Sequence, residues 1–492
     1  MAAFVGFAPN GPANKPILIT NWSQYVETFG VKEKETDEKR NPHMKGAYLS
    51  HAVYGYFQNG GGRCYVTRVA VPETRTPTGA NSLQLPSRAS KSLPAFTVQP
   101  KGTPAADIEI EVKPPTGEAP PEGGFTIRVK MGAKEEAFEN ISLARTKGVK
   151  TAVETINQTS QLVTVLEVQG SGTLAERAPE IGVYVLRATP PSALPTVQAS
   201  FNGDVTTRSG IEGLEVAEDA TMICCPDLMS AFEAGWITRD GVKDVQSKMI
   251  THCERMGDRM AILDPLPHLS PQDVKKWRMS ETNYDSKFGT LYYPWIKIMG
   301  PDGLPMAVPP SGHMAGIFSR NDHERGVHKA PANEVVRGAL EVAEQLTKGE
   351  QDTLNPFGVN CIRAFTGGGI RVWGARTLSS DPAWRYVNVR RLFNYVEKSI
   401  ERGTQWVVFE PNDQDLWARV KRDVGAFLTG VWRDGALFGR TAAEAYFVKC
   451  DEEINPPDVR DRGQLIIEIG LAPVKPAEFV IFRMSQFAGG GA

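Results

Sequence analysis

Two short stretches decide the architecture: TMICCPDL at residues 221–228 and RMAILDPL at 259–266. Each is a brief apolar run closed by a proline turn. It is too short for a helix and lacks polar alternation, so it reads as a strand buried on both faces. The residues between them, through about Arg255, read as a helix, and strand, helix, strand in that rhythm predicts a parallel sheet. Downstream, Ser270 followed by Pro271 supplies an N-cap and a first-turn proline for a helix around Trp277. Upstream, ILIT (17–20), a helix near His51 and CYVTRVA (64–70) have the same character. Residues 1–71 and 201–354 are therefore expected to form one discontinuous α/β domain.

The interruption between those two parts differs in kind. Residues 72–200 hold fourteen of the thirty-five prolines but no Trp, Cys or His. Within them DIEIEV (107–112), FTIRVK (125–130), QLVTVLEV (161–168) and VYVLRA (183–188) read as short strands separated by Pro and Gly punctuation. The expectation is a β-rich domain inserted in a loop, where added chain is well tolerated.

From residue 355 the composition shifts again, with five of the nine tryptophans and fourteen Arg against four Lys in 138 residues. Trp and Arg anchor protein interfaces because one buries a large area and the other makes bidentate charged bonds, and a Trp-rich core explains the same counts equally well. Asp381 with Pro382 can start a helix and Arg402 with Gly403 can end it. On it Val389, Leu392, Phe393, Val396 and Ile400 share an apolar face, while Arg391, Lys398 and Arg402 form a ridge elsewhere. A second stripe, Leu416, Trp417, Val420, Val424, Phe427, Leu428 and Val431, predicts a second amphipathic helix packed in a core. The apolar runs in AYFVKCDEE (445–453) and in 463–484 read as strands, with Pro473 and Pro476 separating the last two. A chain ending in such strands can fold back on itself or offer an edge on which another copy adds.

Composition excludes several functions. The 492 residues carry 55 basic and 57 acidic side chains, a net charge of −2, so no global field favours nucleic acid or an anionic membrane. No apolar run approaches a membrane span, and the amino terminus lacks a basic region followed by a long apolar one, so neither secretion nor membrane insertion is expected. Six cysteines without metal-like spacing fit reduced thiols in a cytoplasm.

Chemistry finds little support. Gly367, Gly368 and Gly369 follow the apolar run CIRAF, but the continuation IRVWGARTL reads as a strand, so a tight turn is favoured over a phosphate loop. An α/β enzyme binding a phosphorylated ligand at Gly367–Gly369 is the competing reading. His313, His323 and His328 lie near Asp322 and Glu324 without any metal-ligand spacing and read as solvated surface. No catalytic, cofactor or metal residue is assigned.

The strings LNPFGVNCIRAFTGGGIRVWGARTL (354–378), WRYVNVRRLFNYVEKSI, WVVFEPND, FVKCD and LAPVKPAEFVIFR are similar to the contractile tail sheath proteins of bacteriophages and of phage-tail-like injection systems. Upstream, AAFVGFAPNGPANKPILITNWSQYVETFG and PPSGHMAGIFSRNDHERGVHKAPAN resemble the same family.

This resemblance implies an α/β and α+β multidomain subunit. Residues 72–200 would be its outer insertion and 355–492 its inner domain, holding neighbours by strands exchanged between subunits. It implies stacked hexameric rings around an inner tube, with baseplate and terminal cap proteins as further partners and no direct nucleic-acid contact. Contraction from a metastable extended state would drive the tube through a target envelope, after assembly in the cytoplasm as part of a phage tail or phage-tail-like particle. A relative that caps or joins the sheath without contracting is a third possibility. Arg391, Lys398 and Arg402 become candidates for tube contact. Glu478, Phe479, Val480, Ile481, Phe482 and Arg483 become candidates for the inter-subunit strand. The family's usual early P-G-V-Y-V-E-E-like arm has no counterpart in this sequence, so strand exchange on that side is not carried over.

Overall fold

A computed structural model describes residues 1–32, 40–69, 82–89, 94–101, 107–116, 121–132, 134–144, 151–168, 172–186 and 197–478. The chain divides into two compact units, Met1–Pro72 with Pro195–Ala492, and Glu73–Leu194.

The first unit is organised by an eight-stranded sheet. From one edge its strands are Gly369–Val372, Val359–Phe365, Gly289–Tyr293, Met260–Leu263, Met222–Cys224, Ala2–Gly6, Cys64–Arg68 and Ile17–Ile19. Its six inner strands are parallel, and each edge strand pairs antiparallel. Every residue of Ala2–Gly6 and of Met260–Leu263 is buried, as unbroken apolar runs demand of a sheet covered on both sides.

Successive side chains enter different cores. Ala3, Val5, Ile223, Ala261 and Leu263 pack with Val242, Val245 and Met249 of the helix Arg239–Met256. Ala2, Phe4, Met222, Met260 and Ile262 pack with the helices Leu49–Gln58 and Ser311–Arg325. Thr238 caps the first of these helices and Gly257 closes it at φ +71°; the expected start at Ser270 holds, since it accepts from the Asp273 N–H and opens Pro271–Lys276.

In open α/β sheets the crevice for a ligand lies where the strand order reverses, here between Ala2–Gly6 and Met222–Cys224. The chain's own carboxylate occupies it. Asp227, fully buried, accepts from the Phe7 N–H at 2.6 Å, from Leu49 N–H at 3.2 Å and from Tyr48 N–H. A Cβ on Gly6 would stand 2.5 Å from its Oδ2, so only glycine lets the strand end approach so closely. One strand further on, Asp264 accepts from Ser311 N–H at 2.8 Å and Ser311 Oγ–H at 2.6 Å, at the start of the helix Ser311–Arg325. Both carboxyls do at helix N-termini what a bound anion does elsewhere.

Among its described residues, Glu73–Leu194 has two antiparallel sheets. One has the order Gly182–Leu186, Ile108–Lys113, Phe125–Met131, Lys134–Ile141; the other is Leu83–Pro86, Pro94–Pro100, Val163–Glu167. Phe96, Ile110, Phe125, Val129, Ile156 and Val165 share one core, with the Phe96 and Phe125 rings 5.8 Å apart. All four strands read between the Pro and Gly punctuation are present. Three others went unread because prolines flank two of them and Lys134–Ile141 (KEEAFENI) carries four charged side chains.

Burial raises the Asp264 carboxyl to about 7, although the Ser311 bonds oppose the shift. Its contribution to stability is therefore fully present below the unfolded value near 4 and is lost as pH rises through about 7. Asp264→Asn retains an acceptor for the Ser311 N–H and does not ionise. Its melting temperature is expected to gain on the wild type as pH rises from about 5 to about 8; a difference independent of pH would refute the titration.

Candidate assembly surface

The carboxy-terminal helices follow their apolar stripes. Leu416, Trp417, Val420, Val424, Leu428 and Val431 are buried along Gln414–Arg433, facing Leu392 and Val396 of the helix Val387–Gly403. The latter starts five residues after Pro382. Asp381 caps only a 3-10 turn, Pro382–Trp384, because backbone bonds from Thr377 N–H to Arg385 O and from Val387 N–H to Ala375 O first draw the chain alongside residues 375–377.

The three cations of this helix do not form a free ridge. Arg391 is buried, grips Asp322 with both Nη atoms, the Nη1 contact at 2.7 Å, and lies 4.9 Å over the Phe318 ring. Lys398 lies 3.4 Å from Asp258 and 3.2 Å from Glu401, and Asp258 also holds the buried Arg259 at 2.7 Å. Arg402, half exposed, reaches Asp219 at 2.7 Å. All three line a cleft of about 740 Å³ with Asp219, Asp258 and Asp322. Their first role is to fasten the helix to the α/β part of the same chain. Helical spacing brought the cations together but carried no sign of acids 69 to 183 positions away.

The loop reading of Gly367–Gly369 is settled. These residues turn an antiparallel pair, Val359–Phe365 with Gly369–Val372, and Gly367 and Gly369 have φ of +72° and +71°. A strand and not a helix follows the glycines, so they do not form the strand–glycine–helix arrangement of a phosphate loop. The histidine reading is corrected in part. His323 is exposed, but His313 is buried against Gly55 and held down to about 4 by desolvation, with the nearby His51 adding to it.

The end of the described chain carries a densely bonded polar site. Tyr446–Lys449 pairs antiparallel with Glu468–Leu471 in a sheet of two strands. Residues 472–474 then run past the loop at 436–438, with the Phe438 N–H donating to Ala472 O at 2.7 Å. Glu478 follows, and its carboxylate accepts from Arg376 Nε at 2.8 Å, Arg376 Nη2 at 2.6 Å, Asn355 Nδ2 at 2.6 Å and Tyr386 Oη at 3.0 Å. Burial would raise this carboxyl, but the bonds from Arg376 and Asn355 outweigh it and hold it below the usual range. Of the strand candidates only Glu478 lies among the described residues; Phe479, Val480, Ile481, Phe482 and Arg483 lie outside them.

A second exposed feature is the loop after Gly403. Phe409 is fully exposed and has φ +69°, a left-handed conformation costly for a bulky side chain. The Glu410 N–H to Val407 O bond at 3.1 Å holds the turn, and Val408 and Trp406 are exposed beside it. Phe438 and Phe447 add further exposed aromatic surface in the carboxy-terminal region.

Residues 217–378 match the phage tail sheath protein central domain and residues 379–487 the phage tail sheath C-terminal domain, together more than half of the chain. The tail sheath protein of Vibrio phage KVP40 is 29% identical over 177 residues, covering 35% of this chain and 26% of that protein. That of Enterobacteria phage T4 is 24% identical over 187 residues, covering 37% and 28%, and that of Escherichia phage P2 is 28% identical over 178 residues, covering 34% and 42%. The matches thus span about a quarter to two fifths of these relatives' own length. Over nearly the whole chain, the fold resembles a chain of the anti-feeding prophage baseplate, with a TM-score of 0.60 at 23% identity, covering 99% of this chain and 93% of that one. The contracted helical sheath of the same particle gives a TM-score of 0.58 at 24% identity, covering 99% and 92%. Since two adjoining sheath domains account for residues 217–487 and the shared fold extends over the rest, the chain belongs to the contractile tail sheath family.

Proposed function

We propose that this chain is the repeating structural subunit of a contractile sheath, stacked as hexameric rings around an inner tube and bounded by baseplate and cap proteins. In this reading the rings assemble in the cytoplasm in an extended, metastable form and contract to drive the tube through a target envelope. The observation that carries the proposal is the two-stranded sheet Tyr446–Lys449 with Glu468–Leu471, which gains no third strand among the described residues. The pair packs Tyr446, Val448, Ile469 and Leu471 on the core of the carboxy-terminal helices, while its outer edges are templates for strands from other copies. The segment that begins at Glu478 is the strand proposed to add to a neighbour. The crevice closed by Asp227, where an enzyme of this fold class would bind substrate, supports a structural role in place of catalysis.

Contraction without fuel requires the compact lattice to lie lower in free energy per subunit than the extended one, and repetition multiplies a small difference. Tube contact is assigned to the face bearing Arg391, Lys398 and Arg402. Arg402 is its exposed member, and Arg391 is committed to Asp322.

Electron microscopy of the purified protein mixed with its tube protein is expected to show hollow, striated cylinders; discrete particles alone would overturn the proposal. Arg402→Glu removes one surface ion pair, worth under about 1 kcal/mol. It is expected to reduce co-assembly with tube while self-polymerisation persists, as read by co-sedimentation. Phe409→Gly relieves the left-handed strain and is expected to raise the stability of the isolated subunit by up to about 1 kcal/mol in urea unfolding, while raising the concentration needed for polymerisation.

A further inference from the structure

Glu478 is held more firmly than the strands that precede it. Its partners Asn355, Arg376 and Tyr386 lie 123, 102 and 92 positions away and make four bonds to one carboxylate. Arg376 and Glu478 side chains are only 10% and 18% exposed. The receptor is itself rigid. Arg376 N–H donates to Asn360 Oδ1 at 2.7 Å, and Arg376 O accepts from Asn360 Nδ2 at 2.8 Å and from Thr290 Oγ1–H at 3.0 Å. Asn360 and Thr290 are fully buried on the neighbouring sheet strands Val359–Phe365 and Gly289–Tyr293. A third link, Arg376 Nη1 to Asn355 O at 3.2 Å, fixes the guanidinium plane.

Such a fork binds a carboxylate in one orientation with two parallel charge-assisted bonds, which a lysine cannot reproduce. By contrast, the chain just before Glu478 is held by a two-stranded sheet of four residue pairs, by partly buried Ile469 and Leu471 on the helical core, and by bonds such as Val474 N–H to Ala436 O at 3.2 Å.

We propose that Asn355, Arg376 and Tyr386 form a latch that pins Glu478, so that tension on the segment beyond it passes into the eight-stranded sheet and bypasses the two-stranded one. This rests on the reading above that the segment links one copy to the next. Force applied beyond residue 478 meets the latch first. While the latch holds, load runs through Arg376 and Asn360 into strands buried on both faces; once it opens, the same load peels Glu468–Leu471 from Tyr446–Lys449. Arg278 and Arg385 line a cleft of about 330 Å³ together with Arg376. The held-down Glu478 carboxyl places the latch's contribution above the unfolded Glu value, with loss as pH falls through the lower folded one, so the latch is closed at neutral pH.

The test uses the full chain with Glu478→Gln, and Arg376→Lys as a second variant, each checked by circular dichroism for an unchanged fold. Amide exchange across 468–474 is expected to be roughly tenfold faster in either variant, while exchange in 359–365 stays as in the wild type. Pulled between its two ends in optical tweezers, the Glu478→Gln chain is expected to release residues 446–478 early, adding about 100 Å of extension at a force below the first rupture of the wild type. Unchanged exchange and identical force traces would overturn the latch. If the latch results hold but wild-type protein builds no polymer with its tube, the inter-subunit reading fails separately.

Discussion

A parallel sheet covered on both faces has only its strand ends left for polar business, and in this protein those ends are closed from within. Asp227 satisfies backbone N–H groups at the end of one strand and at the start of the helix Leu49–Gln58, and Asp264 does the same for Ser311. Helix N-termini carry partial positive charge and unsatisfied donors, so a carboxylate there stabilises both the helix and its attachment to the sheet. The cost is burial of an acid, visible in the upward displacement of both carboxyls to about 7. These positions are taken by the chain's own carboxyls.

The carboxy-terminal periphery is joined to the sheet by charge as well as by packing. Arg391 to Asp322, Lys398 to Asp258 and Arg402 to Asp219 form a graded series from buried to half exposed. Buried pairs hold geometry because removing one partner strands the other, while exposed pairs contribute little and are easily exchanged. The Phe409 loop lies at the same periphery and combines a left-handed backbone with exposed aromatic area.

Resemblance and physics read different parts of the sequence. The strings that resemble sheath proteins include Asn355, Arg376, Tyr386 and Glu478, yet nothing in their spacing indicates that the four converge. Their convergence is a product of the hairpin at Gly367–Gly369 and of the return of residues 472–478 along the loop at 436–438. Asp227 and Asp264 were equally hidden. The only available sign was an acid directly after a short apolar run, in CCPD and LDP, and that sign also fits an ordinary turn.

Local patterns were enough to specify the strands at 222–224 and 260–263, the helix Gln414–Arg433 with its buried stripe, and the glycine turn, because periodicity and turn chemistry act between near neighbours. The sequence by itself also placed three cations on one helix. Tertiary structure alone decided that Arg391 faces Asp322 and that Glu478 ends on Arg376, since Coulomb attraction and hydrogen bonding depend on distances that only the folded chain sets, across sequence separations of 69 and 102.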